Sequence, residues 1–262
     1  MVLEGGYAFG QRRSLENTYS SIDQDWNTAS LRWRYTDRGT FDGGLETMIS
    51  ATDYENQTRN DAESVSLGLF ANWTPSDYTS FFGSIGIQEF QFDDSRSLNG
   101  SRNSSIYGAL GISNQLNNEF RQTLSIGQGS QLSDLADYTE NSYIRYGVDW
   151  DATDGTRLNG YLSYNRSKEG GEGRNERLDS IQVGLNLSQK LTEHLTLGLR
   201  ANHSSYRSNL TNRDYSEWRA QTWLSWQVNR AFSITGSYEH WRAQGDAHFK
   251  ENRLLLGTSL SF

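Results

Sequence analysis

From Leu254 to Phe262 the chain reads Leu-Leu-Leu-Gly-Thr-Ser-Leu-Ser-Phe. One face of an extended segment takes Leu254, Leu256, Thr258, Leu260 and Phe262; the other takes Leu255, Gly257, Ser259 and Ser261. Strict alternation of this kind marks a strand with one apolar face. It recurs where Leu195, Leu197, Leu199 and Ala201 alternate with Thr196, Gly198, Arg200 and Asn202. It recurs again where Val65, Leu67, Leu69, Ala71 and Trp73 alternate with Ser66, Gly68, Phe70 and Asn72, and where Ile144, Tyr146, Val148 and Trp150 alternate with Arg145, Gly147 and Asp149. The polar face is the informative one. It carries Gly, Ser, Thr, Asn, Gln and Arg, and lysine is almost absent from the strands. A soluble sandwich would put Lys and Glu there. Small uncharged residues with scattered arginines suit a crowded aqueous interior, so the apolar face is expected to meet lipid. Hydrocarbon offers the backbone no hydrogen bonds, and such a sheet must close on itself.

Fourteen segments carry the pattern: 2–10, 26–36, 40–54, 62–74, 78–92, 104–116, 119–132, 141–152, 156–167, 177–190, 194–207, 215–228, 231–244 and 252–262. Their connections alternate short and long. The short ones have turn chemistry: Thr36-Asp37-Arg38-Gly39, Thr74-Pro75-Ser76-Asp77, Asn117-Asn118, Ala152-Thr153-Asp154-Gly155, Thr192-Glu193 and Asn229-Arg230. The long ones, such as Asp93–Asn103, Leu135–Glu140, Gly170–Glu176 and Asp246–Glu251, are polar and charged. The expected fold is all-β: a single domain over residues 1–262, a closed antiparallel transmembrane β-barrel of about 14 strands with short periplasmic turns and longer extracellular loops.

A mean hydropathy of −0.76 and 34% hydrophobic residues would ordinarily suggest disorder, but 13% aromatic residues and one proline oppose it. A barrel explains both. Roughly five lipid-facing residues on each strand need about seventy apolar residues, close to what the chain supplies. No run approaches the ~18 apolar residues of a helical span. The absence of cysteine excludes disulfides and thiolate chemistry, and a net charge of −8 speaks against nucleic acid as a partner. Aromatic residues gather at strand ends, which predicts two girdles. Tyr35, Phe41, Trp73, Tyr78, Phe81, Phe120, Trp150, Trp226, Phe232 and Phe262 stand on the short-turn side. Trp26, Tyr54, Phe92, Tyr138, Tyr143, Tyr206, Tyr215 and Trp241 stand on the long-loop side.

Near the C-terminus the chain runs Tyr215-Ser-Glu217, Leu224-Ser225-Trp226-Gln227, Asn229-Arg230 and Phe232-Ser-Ile-Thr-Gly-Ser-Tyr238. After a polar loop come Phe249-Lys-Glu251-Asn252-Arg253 and the closing strand to Phe262. This hairpin resembles the end of a bacterial outer-membrane family, the β-barrel porins associated with exopolysaccharide loci. The resemblance implies an outer-membrane pore, polysaccharide-export partners and no catalytic residues. The terminal Phe262 is similar to the signal read by barrel-assembly machinery.

Catalysis and metal binding find little support. His194, His203, His240 and His248 fall in turns, loops or the lipid-facing register, and no Gly-x-Ser-x-Gly elbow occurs. His240, His248, Asp246 and Glu251 lack a ligand spacing. No enzyme activity, cofactor or metal is expected. The inward charges are the functional candidates: Arg32, Arg34, Arg121, Arg145, Arg157, Arg200, Arg219 and Arg253, against Glu4, Glu46, Asp149 and Glu239. Arginine's planar fork suits anionic groups, and charges lining a pore set ion preference. Inward aromatics (Phe70, Phe82, Tyr107, Tyr161 and Trp223) either pack the wall or stack on sugar rings. The expected function is passive diffusion of ions and small hydrophilic solutes, oligosaccharides among them, through a monomeric pore in the bacterial outer membrane, with lipid or detergent as its surroundings. The alternatives are a structural sleeve or assembly partner in an export or electron-conduit complex, and a truncated or engineered nanopore. Met1-Val2-Leu3-Glu4-Gly5 already alternates, so a mature chain without a leader is expected.

Overall fold

The computed structural model describes residues 1–13, 23–37, 39–54, 61–93, 102–133, 137–170, 176–210, 214–246 and 248–260. Phe262 and parts of the long connections, including Asp94, Asp134 and Glu172, lie outside them. Fourteen strands follow in chain order: β1 (Val2–Arg12), β2 (Gln24–Asp37), β3 (Phe41–Tyr54), β4 (Ala62–Ser76), β5 (Thr79–Phe92), β6 (Arg102–Gln115), β7 (Phe120–Leu132), β8 (Tyr138–Thr153), β9 (Thr156–Gly170), β10 (Arg177–Lys190), β11 (Leu195–Ser208), β12 (Tyr215–Gln227), β13 (Phe232–Gly245) and β14 (Phe249–Leu260). They form one antiparallel sheet in which every strand pairs with its sequence neighbours. Among the described residues the ladder ends at β1 on one side and at β14 on the other.

Each strand lies within three residues of the segment expected from alternation. The differences fall mostly at the long-loop ends, where β2, β6, β8 and β14 begin earlier and β1 and β9 end later. Most of those added residues are polar, as in Arg12 opposite Gln24 and Lys250 opposite Arg242. Backbone pairing needs no apolar side chain, so hairpins rise beyond the alternating stretch that betrays them in sequence.

Three short turns share one design. Leu116, Leu191 and Val228 donate their N–H to the carbonyls of Phe120, Leu195 and Phe232. The residue after each opening position then caps the turn. Asn117 Oδ1 accepts from the backbone of Glu119 and Phe120, and Asn229 Oδ1 accepts from Ala231 and Phe232. Thr192 Oγ1 does the same for His194. The short polar side chain stands in for missing ladder bonds. At the β2–β3 turn Gly39 has φ +86°, a left-handed conformation that glycine adopts without strain. The β4–β5 turn differs from expectation. Pro75 lies inside β4 beside an irregularity between Trp73 and Ser76, and the turn itself is Asp77-Tyr78. Proline lacks the ladder donor, and a bulge is where a strand tolerates it.

The chain divides into two compact units, one of Met1–Ile112, Ser125–Ser142 and Ser167–Glu176, the other of Ser113–Leu124, Tyr143–Arg166 and Arg177–Phe262. Within each, burial runs inside out. Along β4 the small residues Ala62, Ser64, Ser66 and Gly68 are buried while Val65, Leu67 and Leu69 are more than half or about half exposed. Leu199, Leu224 and Trp226 are exposed in the second unit in the same way. Among the described residues the buried apolar set is only Ala62, Phe90, Phe92 and Ala243.

The registers also sort the aromatics. On the short-turn side the girdle holds: Phe41, Trp73 and Phe81 stand directly opposite one another on the apolar face, with Trp73 and Phe81 stacked at 5.4 Å. On the long-loop side it does not. Trp26, Tyr54, Phe92, Tyr143, Tyr206, Tyr215 and Trp241 share parity with the polar residues of their strands. Phe92 stacks with Tyr138 in a small cluster with Ala62, Phe90 and Leu132, and Trp26 lies over Gly10. Closeness to a strand end cannot tell the two faces apart; parity can. Outward aromatics near that end are instead Phe9 and Trp218.

If the exposed face meets hydrocarbon, Leu199→Arg should weaken folding into phospholipid vesicles by about 2–4 kcal/mol, the midplane cost of arginine on a barrel exterior. Urea titration of vesicle-folded protein measures this. Parent-like stability of the variant would place Leu199 away from lipid.

Candidate functional site

The polar face brings the expected arginines onto carboxylates more thoroughly than alternation suggested. In the first unit, Arg32 bonds Glu46 at 2.6 Å and its guanidinium lies 4.5 Å above the Phe70 ring. Arg34 pairs with Asp42 at 2.6 Å and reaches Glu4 at 3.7 Å. In the second unit, Arg157 pairs with Asp151, and Asn159 donates to Asp149. Arg219 pairs with Glu239 at 2.8 Å, and Arg253 holds Glu251 through two bonds of 2.6 and 2.9 Å. Both of these arginines also flank Trp241, with guanidinium carbons 5.5 and 5.9 Å from its ring centre. Asp42, Asp151 and Glu251 were absent from the expected inward set. They stand near strand ends, where alternation fades, but each shares the parity of the arginine it binds. The eight arginines thus share their face with more carboxylates than the four that alternation supplied.

Three arginines are left over, all in the second unit. Among the described residues Arg121, Arg145 and Arg200 form no ion pair. Arg121 donates to the Gln115 amide at 3.2 Å, Arg145 lies 6.0 Å from the Tyr143 ring centre and Arg200 lies 5.8 Å from that of Trp223. The register explains Arg200: its direct neighbours across β10 and β12 are Asn186 and Gln221, both neutral amides. Arg121 lines a cavity of about 260 Å³ at the short-turn end, with Asn118, Asp149, Arg157 and Asn159. The paired arginines are roughly half exposed, so each pair adds little stability. Their effect is to cancel charge along the wall. Glu239 differs, being nearly buried, and depends on Arg219 for its charge balance.

Four of the five inward aromatics, all but Phe70, lie against glycines. A side-chain carbon on Gly184 would fall 2.1 Å from the Tyr161 ring, and one on Gly198 would fall 1.9 Å from that of Trp223. Gly111 receives Phe82 in the same way, and Gly68 and Gly86 together receive Tyr107. The missing side chain makes a recess, and the ring of a neighbouring strand fills it. These rings pack on the wall instead of presenting free faces. The glycines on the polar face, which looked in sequence like mere small residues, are half of this joint.

No family model and no curated protein sequence matches the chain. Solved structures do. The copper transporter OprC aligns with 90% of this chain at a TM-score of 0.67 and 9% identity, and the chain spans about half, 47%, of that protein's length. The outer membrane channel DcaP of Acinetobacter baumannii aligns with 90% of this chain and 84% of its own, at a TM-score of 0.58 and 13% identity. A bacterial polysaccharide outer membrane secretin aligns with 92% of this chain and 79% of its own, at a TM-score of 0.57 and 8% identity. The fold is that of outer-membrane β-barrel proteins. Identities this low speak to the fold alone, and the resemblance of the C-terminal hairpin to exopolysaccharide-associated porins stands on its own residues.

The aromatic–glycine joint makes a graded prediction. Gly184→Val must expel the Tyr161 ring and should cost about 1–3 kcal/mol. Gly147→Ala, whose added carbon comes no nearer than 3.9 Å to another atom, should stay within about 0.5 kcal/mol of the parent. Equal unfolding midpoints in urea would show that Tyr161 is not wedged.

Proposed function

We propose that β14 closes on β1 to form a transmembrane barrel of the bacterial outer membrane, spanning residues 1–262. Its polar face lines a water-filled pore for passive diffusion of ions and small hydrophilic solutes. The observation that carries this reading is the inverted burial: exposed Leu, Ile, Val and Trp on one face, packed Ser, Gly and Asn on the other. Soluble monomers rarely expose apolar patches beyond a few hundred Å². Closure is supported by the edges themselves. β1 and β14 run antiparallel in an even-numbered meander and have 11 and 12 residues. Their apolar positions share one face, so Tyr7 and Phe9 can continue the row of Leu254 and Leu256. Left open in hydrocarbon, each edge would carry a row of unsatisfied backbone groups, at several kcal/mol apiece.

The charge pattern supports weak anion preference. Five of the eight inward arginines are neutralised by a carboxylate, and the bias rests on Arg121, Arg145 and Arg200. A Debye length of about 8 Å at physiological ionic strength screens charges in open solvent more than charges fixed on a confined wall. The acidic outer loops therefore weigh less than the wall. Packing of the inward aromatics against glycine favours an unobstructed bore over sugar-stacking platforms. The C-terminal resemblance still favours oligosaccharides among the solutes, and a polysaccharide-export complex as partner. Solute entry into liposomes with oligosaccharides of increasing length tests that part.

Two measurements test the main reading. The chain has no cysteine, so Tyr7→Cys can be combined in turn with Leu254→Cys, Leu256→Cys and Thr258→Cys. Barrel closure predicts an intramolecular disulfide in one register; none in any register would leave the seam open. In planar bilayers under a salt gradient, the parent should give steady current with a reversal potential on the anion side. Arg121→Gln, Arg145→Gln and Arg200→Gln together should move it toward zero. Cation selectivity that the triple variant leaves unchanged would mean that the loops govern permeation.

A further inference from the structure

On the apolar face, register sets His203 of β11, Trp218 of β12, Arg242 of β13 and Lys250 of β14 directly opposite one another, in one continuous row. Trp218, Arg242 and Lys250 are exposed, and His203 stacks on Trp218 with ring centres 4.4 Å apart. Arg242 and Lys250 are like charges on directly paired residues, an arrangement that destabilises a sheet unless something neutralises it. Among the described residues neither forms an ion pair. With its amide turned over, Gln244 on the same strand offers Arg242 a neutral oxygen. The carboxylates around the row are otherwise engaged. Asp179 holds Arg166 while facing Arg207, Asp214 accepts the backbone N–H of Ser208, and Asp246 accepts that of Asp214. A chain with net charge −8 thus carries an unneutralised cationic pair at the long-loop end of the face that bears Leu, Val and Trp.

Height fixes what the row meets. Arg242 lies ten residues beyond Phe232, which stands at the short-turn end of the same strand and face. At about 3.3 Å per residue and a tilt of about 40°, that separates them by about 25 Å along the membrane normal. The apolar band of an outer-membrane barrel is about 25 Å tall. The row therefore sits where hydrocarbon gives way to headgroups on the long-loop side. A cation here has membrane lipid beside it, with an aromatic ring at interface depth, and charge complementarity names the headgroup.

We propose that this row is a docking site for a lipid of the outer leaflet whose headgroup bears phosphate, with Arg242 and Lys250 straddling the phosphate and Trp218 lying along the lipid's upper chains. The proposal rests on the membrane reading above. The full chain, folded in detergent micelles, is titrated with diphosphorylated lipid A and with the same lipid freed of phosphate; bound lipid is read by native mass spectrometry. The parent should prefer the phosphorylated lipid by at least tenfold. R242Q/K250Q should lose that preference, and R242K/K250R should keep it. Equal binding of the two lipids by the parent, or an undiminished preference in R242Q/K250Q, would overturn the proposal. So would displacement of the lipid by inorganic phosphate at matched phosphate concentration, which would make the row a site for the free ion. Folding is followed separately by heat-modifiable gel migration. A parent that never reaches a folded, heat-modifiable form in micelles would contradict the membrane reading instead.

Discussion

Backbone hydrogen bonding is the constraint on which everything else in this protein depends. A strand that crosses hydrocarbon has no water to turn to, so its N–H and C=O groups must find other strands. The fourteen-strand meander satisfies that demand between every pair of sequence neighbours, using short connections at one end and longer ones at the other. Once the ladder is fixed, the side chains have only two directions to point. The chain then sorts itself by parity: leucine, isoleucine and valine to one side, glycine, asparagine and most arginines to the other. Low mean hydropathy follows, because the apolar residues coat a face rather than fill an interior.

Packing on the polar face uses different physics from a soluble core. Glycines open recesses, and rings from adjacent strands lie in them, as Tyr161 does over Gly184 and Trp223 over Gly198. Arginines are tethered by carboxylates directly opposite in register, as Arg32 by Glu46, or two residues off it, as Arg219 by Glu239. Such half-exposed pairs contribute modestly to stability, but they decide where charge remains. Among the described residues Arg121, Arg145 and Arg200 are left without a carboxylate, all in the second unit. Arg200, between Asn186 and Gln221, is the clearest case.

Most of the fold was legible because period two is a local signal. Each strand declares itself, and turn residues such as Asn117, Thr192 and Asn229 declare where it ends. The strand extensions at the long-loop side were invisible because Arg12, Gln24 and Lys250 join the ladder without alternating. The long-loop girdle misled for a related reason: Trp26, Phe92 and Trp241 sit at the expected height but on the other face, and only register against neighbouring strands reveals it. Pairing was least legible of all. Alternation put Arg34, Arg157 and Arg253 on the polar face but did not supply Asp42, Asp151 and Glu251: the first two meet their arginines across a hairpin, where interstrand register decides, and Glu251 lies beyond the start of the alternating stretch, on the same strand as Arg253.

The central claim is that one face of each strand meets lipid and the other meets water. Single cysteines placed in turn from Leu197 to Asn202 in β11, in vesicle-folded protein, test it without interference from native thiols. A membrane-impermeant, water-soluble thiol reagent should label positions 198, 200 and 202. A fluorophore at 197, 199 or 201 should instead be quenched by lipids spin-labelled in their acyl chains. Labelling without period two, or with the two sets of positions exchanged, would contradict the account.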